Sequence, residues 1–169
     1  VMLKFMIDET ATGIYAAAST CAGLTSFVFA AVIDSSRPTI VEDKKKSVSV
    51  YKNDLCRLYS VVIFASLMQS VAMTILAKPI IFILYGSEFM EAVPVLGIVV
   101  WYTTFSYIGA VRNIWILAEN KQRYLWVINL SGALTNVVLN LILIPLWGTR
   151  GAAAASVVTQ MFTNFILGF

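Results

Sequence analysis

Five stretches of this 169-residue chain, 10–33, 58–77, 92–111, 124–149 and 151–169, contain no Asp, Glu, Lys or Arg. Each is near or above the ~20 residues that carry a helix across a hydrocarbon core of about 30 Å. Inside such a core no water satisfies a backbone N–H or C=O, so a crossing segment that pairs its own backbone must be helical. The overall make-up agrees: 59% of residues are hydrophobic and 12% charged, against roughly 45–50% and 25% in soluble domains. The mean hydropathy is +0.83. The expectation is an all-α integral membrane protein, a polytopic helix bundle with about five transmembrane helices over 10–33, 58–84, 92–117, 124–147 and 151–169.

The connections set the orientation. The segment 34–57 holds Arg37, Lys44, Lys45, Lys46, Lys52 and Arg57, whereas "YGSEFMEAVP" holds no basic residue. Lys121 and Arg123 follow in the third connection and Arg150 alone in the fourth. Basic residues collect on cytoplasmic loops, so 34–57 and 118–123 are expected in the cytoplasm and the second and fourth connections outside. Lys78, beside Pro79, is read as snorkelling to the interface. The opening "VMLKFMIDETATGIY" lacks the basic start, short apolar core and cleavage site of a secretory signal. The chain also stops inside its fifth apolar run, "TNFILGF", without a flank that ends a helix. Both features read as a piece of a longer protein. Cys21 and Cys56 read as small apolar filler in a reducing setting, and with no histidine in the chain no metal or other cofactor is expected.

Polar side chains recur inside the apolar runs at helical spacing. At about 100° per residue Asn129, Asn136 and Asn140 fall within about 40° of one another, with Gly132 and Ala133 nearby and Val127, Leu134 and Val138 opposite. Ser156, Gln160 and Thr163 align with Ala152. Tyr15, Ser19, Ala22 and Ser26 align likewise, and Thr103, Ser106 and Asn113 share a face with Ala110. Ser66, Gln69, Ser70 and Met73 form a weaker set. An amide facing lipid would lack partners at a cost of several kcal/mol, so these faces turn toward other helices or toward water. Packing glue between helices and a hydrated cavity are the two readings, and three amides in line bring the second nearly level with the first without displacing it. Arg112 stands about two helical turns inside the end of its apolar run. Its guanidinium either snorkels to the interface or lines a vestibule and meets an anion, for which its planar, always-charged fork is suited.

Three stretches, "LAKPIIFILYGSEFMEAVPVLGIVVW" (76–101), "VRNIWILAENKQRY" (111–124) and "NVVLNLILIPLWGTRGAAAAS" (136–156), together resemble the C-terminal half of bacterial polysaccharide transporters. These are the Wzx-type O-antigen and capsule flippases, within the multidrug/oligosaccharidyl-lipid/polysaccharide exporter superfamily. The resemblance implies a fragment of a two-lobe exporter fold, its five spans corresponding to helices eight to twelve, in the bacterial cytoplasmic (inner) membrane. It implies passage of an undecaprenyl-pyrophosphate-linked oligosaccharide to the outer leaflet by alternating access. The implied partners are that lipid-linked oligosaccharide, membrane lipids, the missing N-terminal lobe, and polysaccharide polymerase and glycosyltransferases; no nucleic acid is expected. Under it Arg112 would contact the anion and Asn113, Asn136, Asn140 and Gln160 the hydroxyls, with Asn129 on the same candidate cavity. Enzyme is the least favoured class: no triad or phosphate loop occurs, and Glu88 with Glu91 reads as a solvated acid pair. A cation-coupled multidrug exporter of the same superfamily, or a non-transporting membrane scaffold, are the alternatives.

Overall fold

The computed structural model describes residues 2–165. Its order is α1 (Met2–Met6), α2 (Glu9–Ala22), α3 (Ser26–Lys46), α4 (Val48–Ile75), α5 (Ala77–Tyr85), a 3₁₀ turn (Ser87–Phe89), α6 (Ala92–Ala118) and α7 (Arg123–Phe165). The local reasons are ordinary ones. Asp8, with extended backbone, caps α2 by accepting from the Ala11 N–H at 2.6 Å. Pro79 and Pro94 sit in the first turns of α5 and α6, where a missing N–H costs nothing. At the end of α6, Asn120 takes φ 55°, a left-handed conformation that asparagine tolerates. There Lys121 N–H returns to Ile116 O at 2.9 Å, closing the helix.

The central helix is α6, against which α2, α3, α4, α5 and α7 all pack. One core cluster joins Ile14 and Ala18 of α2, Ile81 of α5, Val95, Leu96 and Val100 of α6 and Ala153 of α7. A second joins Ile33 and Ile40 of α3, Leu55 and Val62 of α4 and Val111 and Ile114 of α6. Between α4 and α6 the weaker polar set serves as glue. Ser70 Oγ meets Thr104 Oγ1 at 2.7 Å, and Thr104 donates to Ser66 O at 3.1 Å, all three buried. The outward faces are apolar: Phe64, Trp126, Leu130, Leu134 and Val138 are exposed, an arrangement that suits lipid and not water.

By length and composition, three helices among the described residues can cross a membrane: α4, α6 and α7. The pair α2 and α3, bent by 49° at its break, adds a fourth if taken as one span. The chain is thus an all-helical protein with bilayer-length apolar helices, but the count differs from the expected five. The difference lies in the break between α2 and α3, inside the expected span 10–33, and in α7. The latter carries the fourth and fifth apolar runs on one helix interrupted only by Gly148, at φ 59° and ψ −131°. The arms on either side, 123–147 and 149–165, fold back on each other: Asn136 Nδ2 donates to Thr159 Oγ1 at 3.3 Å, and Ile144 packs with Ala152. Residues 166–169 of the expected fifth span lie outside the described residues.

The expected loop 34–57 is also corrected. It is helical throughout except for Ser47, because charges that a bilayer rejects are accommodated by an exposed helix through pairs three and four residues apart. Arg37 pairs with Asp34 at 2.9 Å and Lys46 with Glu42 at 2.6 Å. The expected second span, 58–84, is interrupted at Leu76 between α4 and α5.

Where α3 ends beside the α6–α7 turn, Lys44 Nζ donates to Ala118 O at 2.7 Å and pairs with Glu119 at 2.9 Å. Tyr51 of α4 donates to the same carboxylate at 3.4 Å. The hydrogen bond from Lys44, helped by its charge, holds the Glu119 carboxyl below its ordinary value of 4.5. A carboxyl lowered in the folded state contributes stability above that ordinary value and loses it as pH falls through the folded-state value. The thermal midpoint of the protein therefore falls as pH is taken below about 4.5, and Glu119→Gln makes that acid limb shallower. Parallel midpoint-versus-pH curves for the two proteins would exclude the contact as a contributor.

Candidate functional site

Four helical faces whose polar and small residues repeat at intervals of three and four converge on one cavity. The first arm of α7 supplies Asn129, Gly132, Ala133 and Asn136, and its second arm Ser156, Thr159, Gln160 and Thr163. From α6 come Thr103, Ser106, Ala110, Arg112 and Asn113, and from α2 Tyr15 and Ser19. The cavity measures about 820 Å³. It exists because the α7 hairpin brings both amide-bearing faces round to α6. At Gly132 a β-carbon would lie 2.7 Å from Thr163 Cγ2, so the arms approach as closely as a hydrogen side chain permits.

Arg112 is 9% exposed. Its Nη1 donates to the Thr163 carbonyl at 2.6 Å, and its buried Nε has no partner. Among the described residues no carboxylate pairs with it, and it is the one charged side chain in the cavity wall. The guanidinium turns to the second arm of α7, about 10 Å along the helix axis from Glu119 at 1.5 Å per residue. A cation held in a low-dielectric wall without a counter-charge makes the cavity electropositive.

The other sequence candidates are placed as follows. Asn113 and Asn129 are exposed and Asn136 and Gln160 half-buried, all four on the cavity wall. Asn140 is not on the wall. It is 8% exposed, and its Nδ2 donates to Asn136 O at 2.9 Å and Asn136 Oδ1 at 2.8 Å. That bond turns the Asn136 amide so that its own N–H₂ reaches Thr159. Asn140 therefore orients an amide where direct contact was expected of it.

Thr159 and Tyr107 belong to the wall although neither was picked out in the sequence. Thr159 lies three residues from Ser156 and four from Thr163, so the helical repeat carried the signal. Tyr107 carried none, since its ring stacks on Phe29 at 4.2 Å as a core aromatic does. Asn164 was also unmarked; its Nδ2 donates to Phe105 O. Ser19 Oγ on the wall has, like Arg112 Nε, no protein partner.

No protein-family model, curated protein or solved structure matches the chain. What the wall can do follows from its atoms. It offers amides, hydroxyls and one guanidinium, a set that binds an anion beside hydroxyl groups. Its volume lies toward the top of the roughly 300–1,000 Å³ of small-molecule sites, leaving room for more than a single small polar group.

Proposed function

We propose that the chain is part of a flippase that moves an undecaprenyl-pyrophosphate-linked oligosaccharide across the bacterial cytoplasmic membrane for surface polysaccharide synthesis, as its resemblance to Wzx-type transporters implies. The observation that carries the reading is the Arg112 guanidinium in the cavity wall, bonded on one side to the Thr163 carbonyl and facing no carboxylate among the described residues. A pyrophosphate supplies the missing counter-charge in bidentate form. Asn113, Asn129, Asn136 and Gln160 then serve the sugar hydroxyls. Such a role makes and breaks no covalent bond: the wall binds, releases and excludes lipid tails.

Thiol labelling tests this in the full-length protein. Cys56 is exposed, so the background is Cys56→Ser. Cysteines placed at Asn113, Asn129 and Gln160 are expected to react with a membrane-impermeant maleimide, and one at Asn140 to stay protected. Added lipid-linked oligosaccharide slows the first three. Protection at all four positions, or labelling that this substrate leaves unchanged, overturns the reading. Drug efflux from cells whose surface polysaccharide is unaffected by loss of the protein favours a multidrug exporter instead.

A further inference from the structure

Away from the central cavity, α3 and α4 leave a groove of about 390 Å³ between them. Its lining spans the point in sequence where charge gives way to apolar residues. Ser35, Ser36, Thr39, Asp54 and Arg57 lie on the charged side of that point, and Val32 and Val61 on the apolar side. Val32 and Val61 are themselves exposed, so the apolar end opens toward the place lipid tails would occupy. The groove is amphiphilic along its length, as a phospholipid is.

Its charges differ in arrangement from those beside them on α3. Asp34 and Arg37, three residues apart on α3, form an ion pair at 2.9 Å. Asp54 and Arg57 have the same spacing on α4 and form no ion pair among the described residues. Both instead line the groove. The serines add a directional feature. Ser35 Oγ and Ser36 Oγ both donate to Val32 O, at 3.0 and 2.8 Å, which spends their protons and leaves lone pairs to accept. The groove wall thus carries a carboxylate and two acceptor hydroxyl oxygens together with a guanidinium.

We infer that this groove is a head-group site for a zwitterionic phospholipid with a primary ammonium, phosphoethanolamine in class, seated with phosphate on Arg57 and ammonium on Asp54 and the serine oxygens. A choline head group lacks the N–H donors these oxygens require. A glycerol head group brings the phosphate but leaves Asp54 facing a net negative ligand. The acyl chains run down past Val32 and Val61. The inference needs the protein to lie in a bilayer and is independent of what the central cavity carries.

Native mass spectrometry of the detergent-purified full-length protein, offered phosphatidylethanolamine, phosphatidylcholine and phosphatidylglycerol in equal amounts, is the test. Retention of the ethanolamine lipid is expected at about tenfold over either competitor, the scale of one charge-assisted hydrogen bond. Arg57→Gln lowers that retention to the choline level. Asp54→Asn removes the ammonium partner and moves the preference to the glycerol lipid. Both side chains are outside the packed core, and unchanged melting of the variants confirms that folding is intact. Equal retention of the three lipids by the wild type, or an Arg57→Gln protein that retains the ethanolamine lipid as the wild type does, overturns the site. Selectivity unaltered by Asp54→Asn overturns the ammonium assignment.

Discussion

Under the proposed flippase function, Arg112→Ala is expected to cut transport of the lipid-linked oligosaccharide by roughly thirtyfold to a few thousandfold. The estimate follows from truncating one partner of a buried charged pair, which costs roughly 2–5 kcal/mol, at about 1.4 kcal/mol per factor of ten. Part of the effect could arise from the fold, because Arg112 also bonds the Thr163 carbonyl at 2.6 Å. Arg112→Lys separates the two causes. An ammonium keeps the charge and can still reach a carbonyl, but it loses the planar fork that grips two phosphate oxygens together. The lysine variant is expected to melt within a few degrees of the wild type and to transport at an intermediate rate. Polymer export by a folded Arg112→Ala protein at the wild-type rate would remove the guanidinium from the transport step. Equal loss in both variants, with a lowered melting point in each, would make it a structural residue.

What the sequence revealed and what it hid separate along a physical line. The helical faces were legible, because three- and four-residue spacing of Asn129, Gly132, Ala133 and Asn136 is enforced by the helix itself and is independent of neighbours. Whether those faces meet a cavity or a neighbouring helix depends on tertiary placement. The structure contains both outcomes, a dry Ser70–Thr104 contact between α4 and α6 and a roomy amide-lined face beside α7. Arg112 was ambiguous for the same reason: its direction is set by Thr163, fifty-one residues on, and no local pattern encodes that. The charged stretch 34–57 misled because charge excludes a segment from hydrocarbon without excluding it from a helix. Asn140 misled because the polar stripe on α7 is one turn longer than the cavity it faces, and the surplus amide bonds to Asn136.

The turn in α7 carries the second large prediction. The chain reverses with one non-helical residue, Gly148, and helical backbone resumes at Thr149. At φ 59° and ψ −131° Gly148 occupies a mirror-image region open to glycine, yet a β-carbon there would meet only Ile7 Cδ1 at 3.7 Å. Gly148→Ala is therefore a conformational strain without a clash, costing roughly 1–3 kcal/mol. Gly151 differs. A β-carbon on it would stand 2.0 Å from Leu143 O and 2.5 Å from Leu143 C, backbone atoms of the opposite arm that cannot rotate away. Gly151→Ala is expected to wedge the arms apart, and with them go the Asn136–Thr159 bond and the seat of Arg112 on Thr163. The cost exceeds about 4 kcal/mol, the range reserved for broken cores and impossible backbone contacts, and folded yield collapses. A cysteine pair at Asn136 and Thr159, whose side chains touch at 3.3 Å, reads the geometry directly. In the Cys56→Ser background a short bifunctional thiol reagent links the pair, still does so with Gly148→Ala, and fails with Gly151→Ala. Efficient cross-linking of the Gly151→Ala protein would mean that the arms are not held by this contact, and that the cavity between them is set by something other than the hairpin.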